Sequence, residues 1–98
     1  MASAIAQVAT PLPRRYMTQL CKHFEHKLPV SLTDTEGSIA FPTGTCTLRA
    51  DASAGTLHLQ VTTPEPATLP ALQDVVARHL TRFAFREPIH IPWEPASA

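Results

Sequence analysis

Four consecutive segments of the sequence alternate apolar and polar residues with a period of two. They run from Val30 to Leu32, from Ile39 to Phe41, from Cys46 to Ala50 and from Leu57 to Val61. Because successive side chains of a β-strand point to opposite faces of a sheet, the alternation predicts strands with one apolar and one polar face. An antiparallel sheet can leave one face in water, so we expect a sheet that is covered on one side only.

Turn residues separate these segments. Asp34 and Gly37 bound the first turn, residues 42–44 read Pro-Thr-Gly, and residues 51–55 end in Gly55. Proline fixes φ early in a tight turn, and a glycine such as Gly44 is able to take a positive φ. Short reversals join antiparallel neighbours, so the four segments predict a meander.

Two segments with helical periodicity flank the predicted strands. The first has Pro13 in its opening turn and continues to Lys27. Pro29, two residues further on, stops the helix. The second follows the proline-rich residues 63–70. In each segment the apolar residues fall on one arc of the helix, which predicts a buried face. These residues are Tyr16, Met17, Leu20, Cys21, Phe24 and Leu28 in the first, and Leu69, Leu72, Val76, Leu80 and Phe83 in the second.

The order of the segments predicts an α+β fold with two helices packed on one face of an antiparallel sheet of four to five strands. A short β-pattern from Ala4 to Ala9 would add an edge strand, and Ile89 to Trp93 would form a last strand or a pinned tail. With 98 residues the chain is below the usual size of one domain. We expect residues 1–98 to form a single domain, with residues 1–10 and 94–98 loosely ordered.

Charge and cysteine content limit the classes of function. Lys+Arg and Asp+Glu both number 8, giving a formal net charge of zero, whereas proteins that hold nucleic acid through its phosphates need a basic excess. No apolar run approaches the roughly 18 residues of a membrane span. The first ten residues lack the basic start of a secretory signal, and two cysteines without such a signal indicate a reducing compartment. We therefore expect a cytoplasmic protein that binds neither nucleic acid nor membrane.

Two cysteines and three histidines could hold a metal ion, and the cysteines could also act as redox thiols. Cys21 and Cys46 are placed where they could be neighbours in the core, and His79 flanks the apolar face of the second helix. His23 and His26 lie three residues apart on the first helix, so their rings could share a metal. The favoured interpretation is that the cysteines fill the core and the histidines lie on a solvated surface. We predict no cofactor, with zinc or iron at these residues as the alternative.

The polar face of the predicted sheet is the other candidate site. It presents Thr45, Thr47, Arg49, His58 and Gln60. Sheets that bind single-stranded nucleic acid present aromatic side chains on which bases stack, and the predicted face has none. A polar small molecule or a strand from a partner protein would fit it better, and simple solvation is the plainer interpretation.

Several short stretches are informative as a set. They are Arg15-Tyr16, residues 19–24 (QLCKHF), His26-Lys27, residues 41–46 (FPTGTC), residues 74–87 (DVVARHLTRFAFRE) and Trp93. Together they resemble a small bacterial family known as domain-of-unknown-function family 2218. The resemblance implies a TATA-binding-protein-like α+β fold. It also implies a link to iron, because related domains are sometimes joined to flavin-dependent siderophore-interacting proteins.

Three interpretations of function follow. The first is a non-enzymatic binding or accessory module, linked by the resemblance to iron or siderophore metabolism, whose small-molecule ligand is not specified. The second is a metal-binding or thiol-redox protein that uses Cys21, Cys46 and His79. The third is a dimerisation module that pairs sheet edges or faces with a second copy or a partner protein. An enzyme is not favoured, because the sequence has neither a nucleotide-phosphate loop nor a nucleophile elbow.

Overall fold

The chain folds into one antiparallel sheet with two helices, as described by a computed structural model that covers residues 1–85 and 87–96. A short 3-10 helix, Pro66–Thr68, precedes the second helix. In chain order the elements are β1 (Ala2–Ala9), α1 (Pro13–Phe24), β2 (Val30–Leu32), β3 (Glu36–Phe41), β4 (Gly44–Asp51), β5 (Thr56–Thr63), α2 (Leu69–Phe83) and β6 (Glu94–Pro95). Two helices on one antiparallel sheet confirm the α+β class predicted from the sequence.

The sheet has six strands in the order β2-β3-β4-β5-β1-β6, rather than the predicted four to five. The difference arises at the two ends of the chain. β1 is not an edge strand, because it lies between β5 and β6 and pairs with β5 along its whole length. Its inward residues Ala4, Ala6 and Val8 are buried, so residues that we expected to be loosely ordered contribute to the core. Of residues 94–98, Glu94–Pro95 pair with β1 as β6, and residues 97 and 98 lie outside the described part.

Both helices lie on one face of the sheet and leave the other open. The inward residues of β4 and β5 are buried and their outward neighbours are exposed or half-buried. The buried set is Cys46, Leu48, Leu57 and Leu59, and the outward set is Thr45, Thr47, His58 and Gln60. This confirms the one-sided burial that the period-two alternation predicted.

α1 begins at Pro13 as predicted but ends at Phe24 instead of Lys27. The carbonyl oxygen of Phe24 accepts hydrogen bonds from the backbone N–H groups of Lys27 (3.0 Å) and Leu28 (2.9 Å), which close a turn. Pro29 has no N–H group with which to continue the helix. The predicted apolar arc is buried at Tyr16, Met17, Leu20 and Cys21, and half-buried at Phe24 and Leu28.

α2 buries Leu72, Val76 and Leu80, with Leu69 and Phe83 half-buried at its two ends. On its outer side Arg78 Nε lies 2.8 Å from a carboxylate oxygen of Asp74, one helical turn earlier. Within residues 1–85 and 87–96, no helix is long and apolar enough to cross a membrane.

Two glycines are needed for close packing. Gly44 does not use the positive φ that a glycine can take in a turn: among the described glycines, only Gly55 has one, at 61°. A Cβ at Gly44 would instead overlap the carbonyl oxygen of Thr62 on the neighbouring strand, so close approach requires the glycine. At Gly37, a Cβ would lie 2.7 Å from the Sγ of Cys21. At this point α1 and β3 approach closely because a sulfur atom faces a glycine.

Gly37→Ala should lower the free energy of unfolding by about 1–3 kcal/mol, because the added methyl group overpacks the space that the Cys21 sulfur occupies. Cys21→Ala removes that sulfur. The free energy of unfolding of the double variant should therefore exceed the value obtained by adding the two single effects, by at least about 0.5 kcal/mol. Denaturant unfolding of the four proteins measures this coupling. Strict additivity would show that the two positions do not compete for the same space.

Candidate functional site

The open face of the sheet carries polar side chains in rows that cross the strands. The register pairs Glu36 with Arg49, Arg49 with His58, and His58 with Gln7. These four residues, here called the polar row, extend over β3, β4, β5 and β1. Directly paired residues on one face have Cβ atoms about 4.5–5.5 Å apart. Neighbouring members of the row are therefore close enough to contact one small ligand together.

A depression of about 290 Å³ lies over the polar row and the row beside it. The second row places Thr47, Gln60 and Ile5 in register on β4, β5 and β1. Arg49 is exposed, and within the described ranges it has no carboxylate within 4 Å. Its guanidinium therefore keeps its five N–H donors for water or a ligand.

The depression brings together most of the face residues that the sequence predicted. Arg49, His58, Thr47 and Gln60 line it, whereas Thr45 lies one row further along, paired with Thr62. The sequence analysis missed two polar residues of the lining. Gln7 has an outward position in the β1 pattern, but its partner strand could not be read from that pattern. Glu36 was assigned to a turn and is the first residue of β3.

Cys21 and Cys46 are fully buried free thiols. Burial raises the pKa of Cys46 to about 12, and the nearby Cys21 adds to the rise. Burial, together with the negative charge of Glu25, raises the pKa of Cys21 to about 11. Because the thiolate is the form that attacks electrophiles and binds metals, both groups are held in the unreactive thiol form at neutral pH. Their environment favours a packing role.

His23 and His79 face each other across the two helices, with ring centroids 4.9 Å apart. His79 also contacts the ring of Phe24 (4.9 Å), and His26 is exposed in the turn after α1. In the part of the chain that is described, no group of three or more His, Cys, Asp or Glu residues could hold a metal ion. Zinc sites usually need three or four protein ligands, so metal binding by these residues would require ligands from outside the described chain.

Comparisons with known proteins agree with this architecture. Residues 5–94 match the model of a family described as uncharacterized protein conserved in bacteria (DUF2218). Among solved structures, the NMR structure of PA4090 from Pseudomonas aeruginosa is similar, with a TM-score of 0.81. The two sequences are 36% identical and the match covers 100% of each chain. No curated protein matches the sequence.

Both cysteines should react slowly with iodoacetamide in the folded protein at about pH 8, because little thiolate forms when the pKa is raised by burial. Mass spectrometry of the alkylated protein over time would measure this. The same protein in denaturant is the control, in which both thiols should label at the rate of an exposed cysteine. Rapid labelling of either thiol in the folded state would contradict a packing role and restore the thiol-redox interpretation.

Proposed function

We propose that this chain, which belongs to the DUF2218 family of uncharacterized proteins conserved in bacteria, is a non-enzymatic binding module. Its ligand would lie on the open face of the sheet. The observation that carries the proposal is the polar row, in which Glu36, Arg49, His58 and Gln7 stand side by side on four strands. Residues on rigid, paired strands hold their positions better than residues on loops, which suits recognition.

The polar row indicates the chemistry of the ligand. Arg49 only donates hydrogen bonds, an ionised Glu36 only accepts them, and His58 and Gln7 do both. A ligand that matches them has carboxylate and hydroxyl or amide groups close together. The depression of about 290 Å³ is at the lower limit of small-molecule sites, which are about 300–1,000 Å³. This favours a small metabolite over a dinucleotide.

The family resemblance adds a class of ligand to this chemistry. Through related domains that are sometimes joined to siderophore-interacting proteins, it implies iron handling. We therefore propose an iron chelate as the ligand, since iron chelators present carboxylate or hydroxamate oxygens. A TATA-binding-protein-like outline is part of the same resemblance. The two free thiols suit a reducing compartment, which supports our proposal of a cytoplasmic location.

Binding of citrate and of a hydroxamate chelator, each free and as its gallium(III) complex, should shift backbone amide NMR signals of the polar row. Gallium(III) replaces iron(III) because it is diamagnetic. Arg49→Gln should weaken binding by about tenfold, which corresponds to the loss of one charge-assisted hydrogen bond. Arg82→Gln, an exposed change on the opposite layer, should leave the affinity unchanged.

The four ligands separate the parts of the proposal. Binding of the free acids alone would support a polar metabolite and contradict the iron link. Binding of only the gallium complexes would support both the site on the polar row and the link to iron. Equal losses in the Arg49→Gln and Arg82→Gln variants, or no shifts with any of the four, would contradict the site.

We also propose that the sheet face does not bind nucleic acid. Arg49 is the one Lys or Arg of the polar row and the row beside it, and these two rows contain no Phe, Tyr or Trp for base stacking. Fluorescence anisotropy with labelled DNA and RNA should show no micromolar binding at about 150 mM salt. Weak binding that is present only at low salt would fit non-specific attraction to the helices. Micromolar or tighter binding at the higher salt would contradict the proposal.

A further inference from the structure

Charge is divided between the two layers of this neutral molecule. α1 and α2 together carry five Lys or Arg residues and one acidic residue, Asp74. The chain has 8 of each kind, so the segments outside the helices hold three Lys or Arg residues and seven acidic residues. The helix layer is therefore net positive although the chain as a whole is neutral.

Part of this positive charge lies where the two helices meet. The ring of His23 on α1 lies 4.9 Å from that of His79 on α2 and 5.7 Å from that of Phe83. Beside them, a surface pocket of about 270 Å³ is lined by Arg78, His79 and Arg82. Arg78 is paired with Asp74 at 2.8 Å. Arg82 has no carboxylate within 4 Å among residues 1–85 and 87–96.

The charged groups around His23 all shift its pKa in the same direction. His23 is exposed, but partial desolvation of its ring lowers its pKa, and the positive groups of His79, Arg82, Lys27 and His26 lower it further. No carboxylate of residues 1–85 and 87–96 offsets this effect: Glu25 acts on Cys21, and Asp74 pairs with Arg78. Like charges without a counter-charge repel one another, and a bound anion would relieve that repulsion.

A backbone hydrogen bond fixes the ring of His79. Because the carbonyl oxygen of Val75 can only accept, the Nδ1 atom of His79 must carry the hydrogen in their 2.6 Å contact. The Nε2 atom is then a bare acceptor in the neutral ring and becomes a donor only when the ring is protonated. An anion at this ring therefore requires protonation, whereas a metal ion requires the neutral form.

We propose that the cluster of His23, His79 and Arg82 binds a small doubly charged oxyanion, such as phosphate or a phosphate monoester, together with a proton on the imidazoles. The guanidinium of Arg82 can hold two oxygens of such a group at once. The pocket volume admits a phosphate group and a few further atoms. This site lies on the helix layer and is independent of the polar row.

Inorganic sulfate is the probe of choice, because its double charge does not change between about pH 6 and pH 7.5, where histidine titrates. NMR titration of the whole protein at constant ionic strength should show shifts at His23, His79 and Arg82. The affinity should be at least about threefold higher at the lower pH, since binding takes up protons. Sulfate should also raise the pKa of His23, read from its ring proton shifts. Inorganic phosphate should shift the same signals.

Arg82→Gln should weaken sulfate binding by about tenfold, and Arg49→Gln on the opposite face should leave it unchanged. Nickel(II) titration tests the competing metal site, whose affinity would rise with pH. Equal effects of the two arginine variants, sulfate affinity that does not increase as the pH falls, or tight nickel binding without sulfate binding would each overturn the proposal.

Stability provides a second measurement. Because the pKa of His23 is lowered in the folded state, the unfolded chain binds more protons, and stability should fall as the pH drops below the ordinary histidine value of about 6.5. Thermal unfolding should show this loss in chloride and a smaller one in sulfate at the same ionic strength. An equal loss in both salts would contradict an anion site at the histidines.

Discussion

The register between β4 and β5 is the constraint on which the rest of the structure depends. It places Cys46 beside Val61 on the inner face and Arg49 beside His58 on the outer face. Since side chains alternate along a strand, a slip of one residue would move the apolar side chains of the shifted strand from the core to the open face. The buried core and the proposed ligand face are therefore two results of a single pairing, and neither can change register without the other.

The helix layer follows from the same division. One apolar face needs cover, and two amphipathic helices supply it with their outer sides in water. Those outer sides carry most of the positive charge of a neutral chain. The molecule thus presents two chemically different surfaces: a flat face with mixed donors and acceptors, and a cationic helix junction. Because the core separates them, ligands on one need not affect the other.

Periodicity was sufficient to predict the helices, the meander and its one-sided burial. It failed where structure depends on contacts between distant segments. The inner position of β1, and with it the role of Gln7, follows from pairing with β5, which no local pattern encodes. The pairing of His23 with His79 depends on how the helices are placed side by side, which neither helical arc specifies. Gly44 was recognised as special, but for a turn conformation and not for its closeness to Thr62.

The place of β1 in the sheet has a consequence for the order of folding. β2 to β5 are joined by short turns, so their contacts close small loops. β1 instead pairs Ala2 with Thr63 and Ala9 with Thr56, and β6 can add only after β1 is in place. Closing such long loops slows folding. During synthesis β1 therefore stays unpaired until residues 56–63 have been made. Its small, alanine-rich side chains expose little apolar surface in that interval.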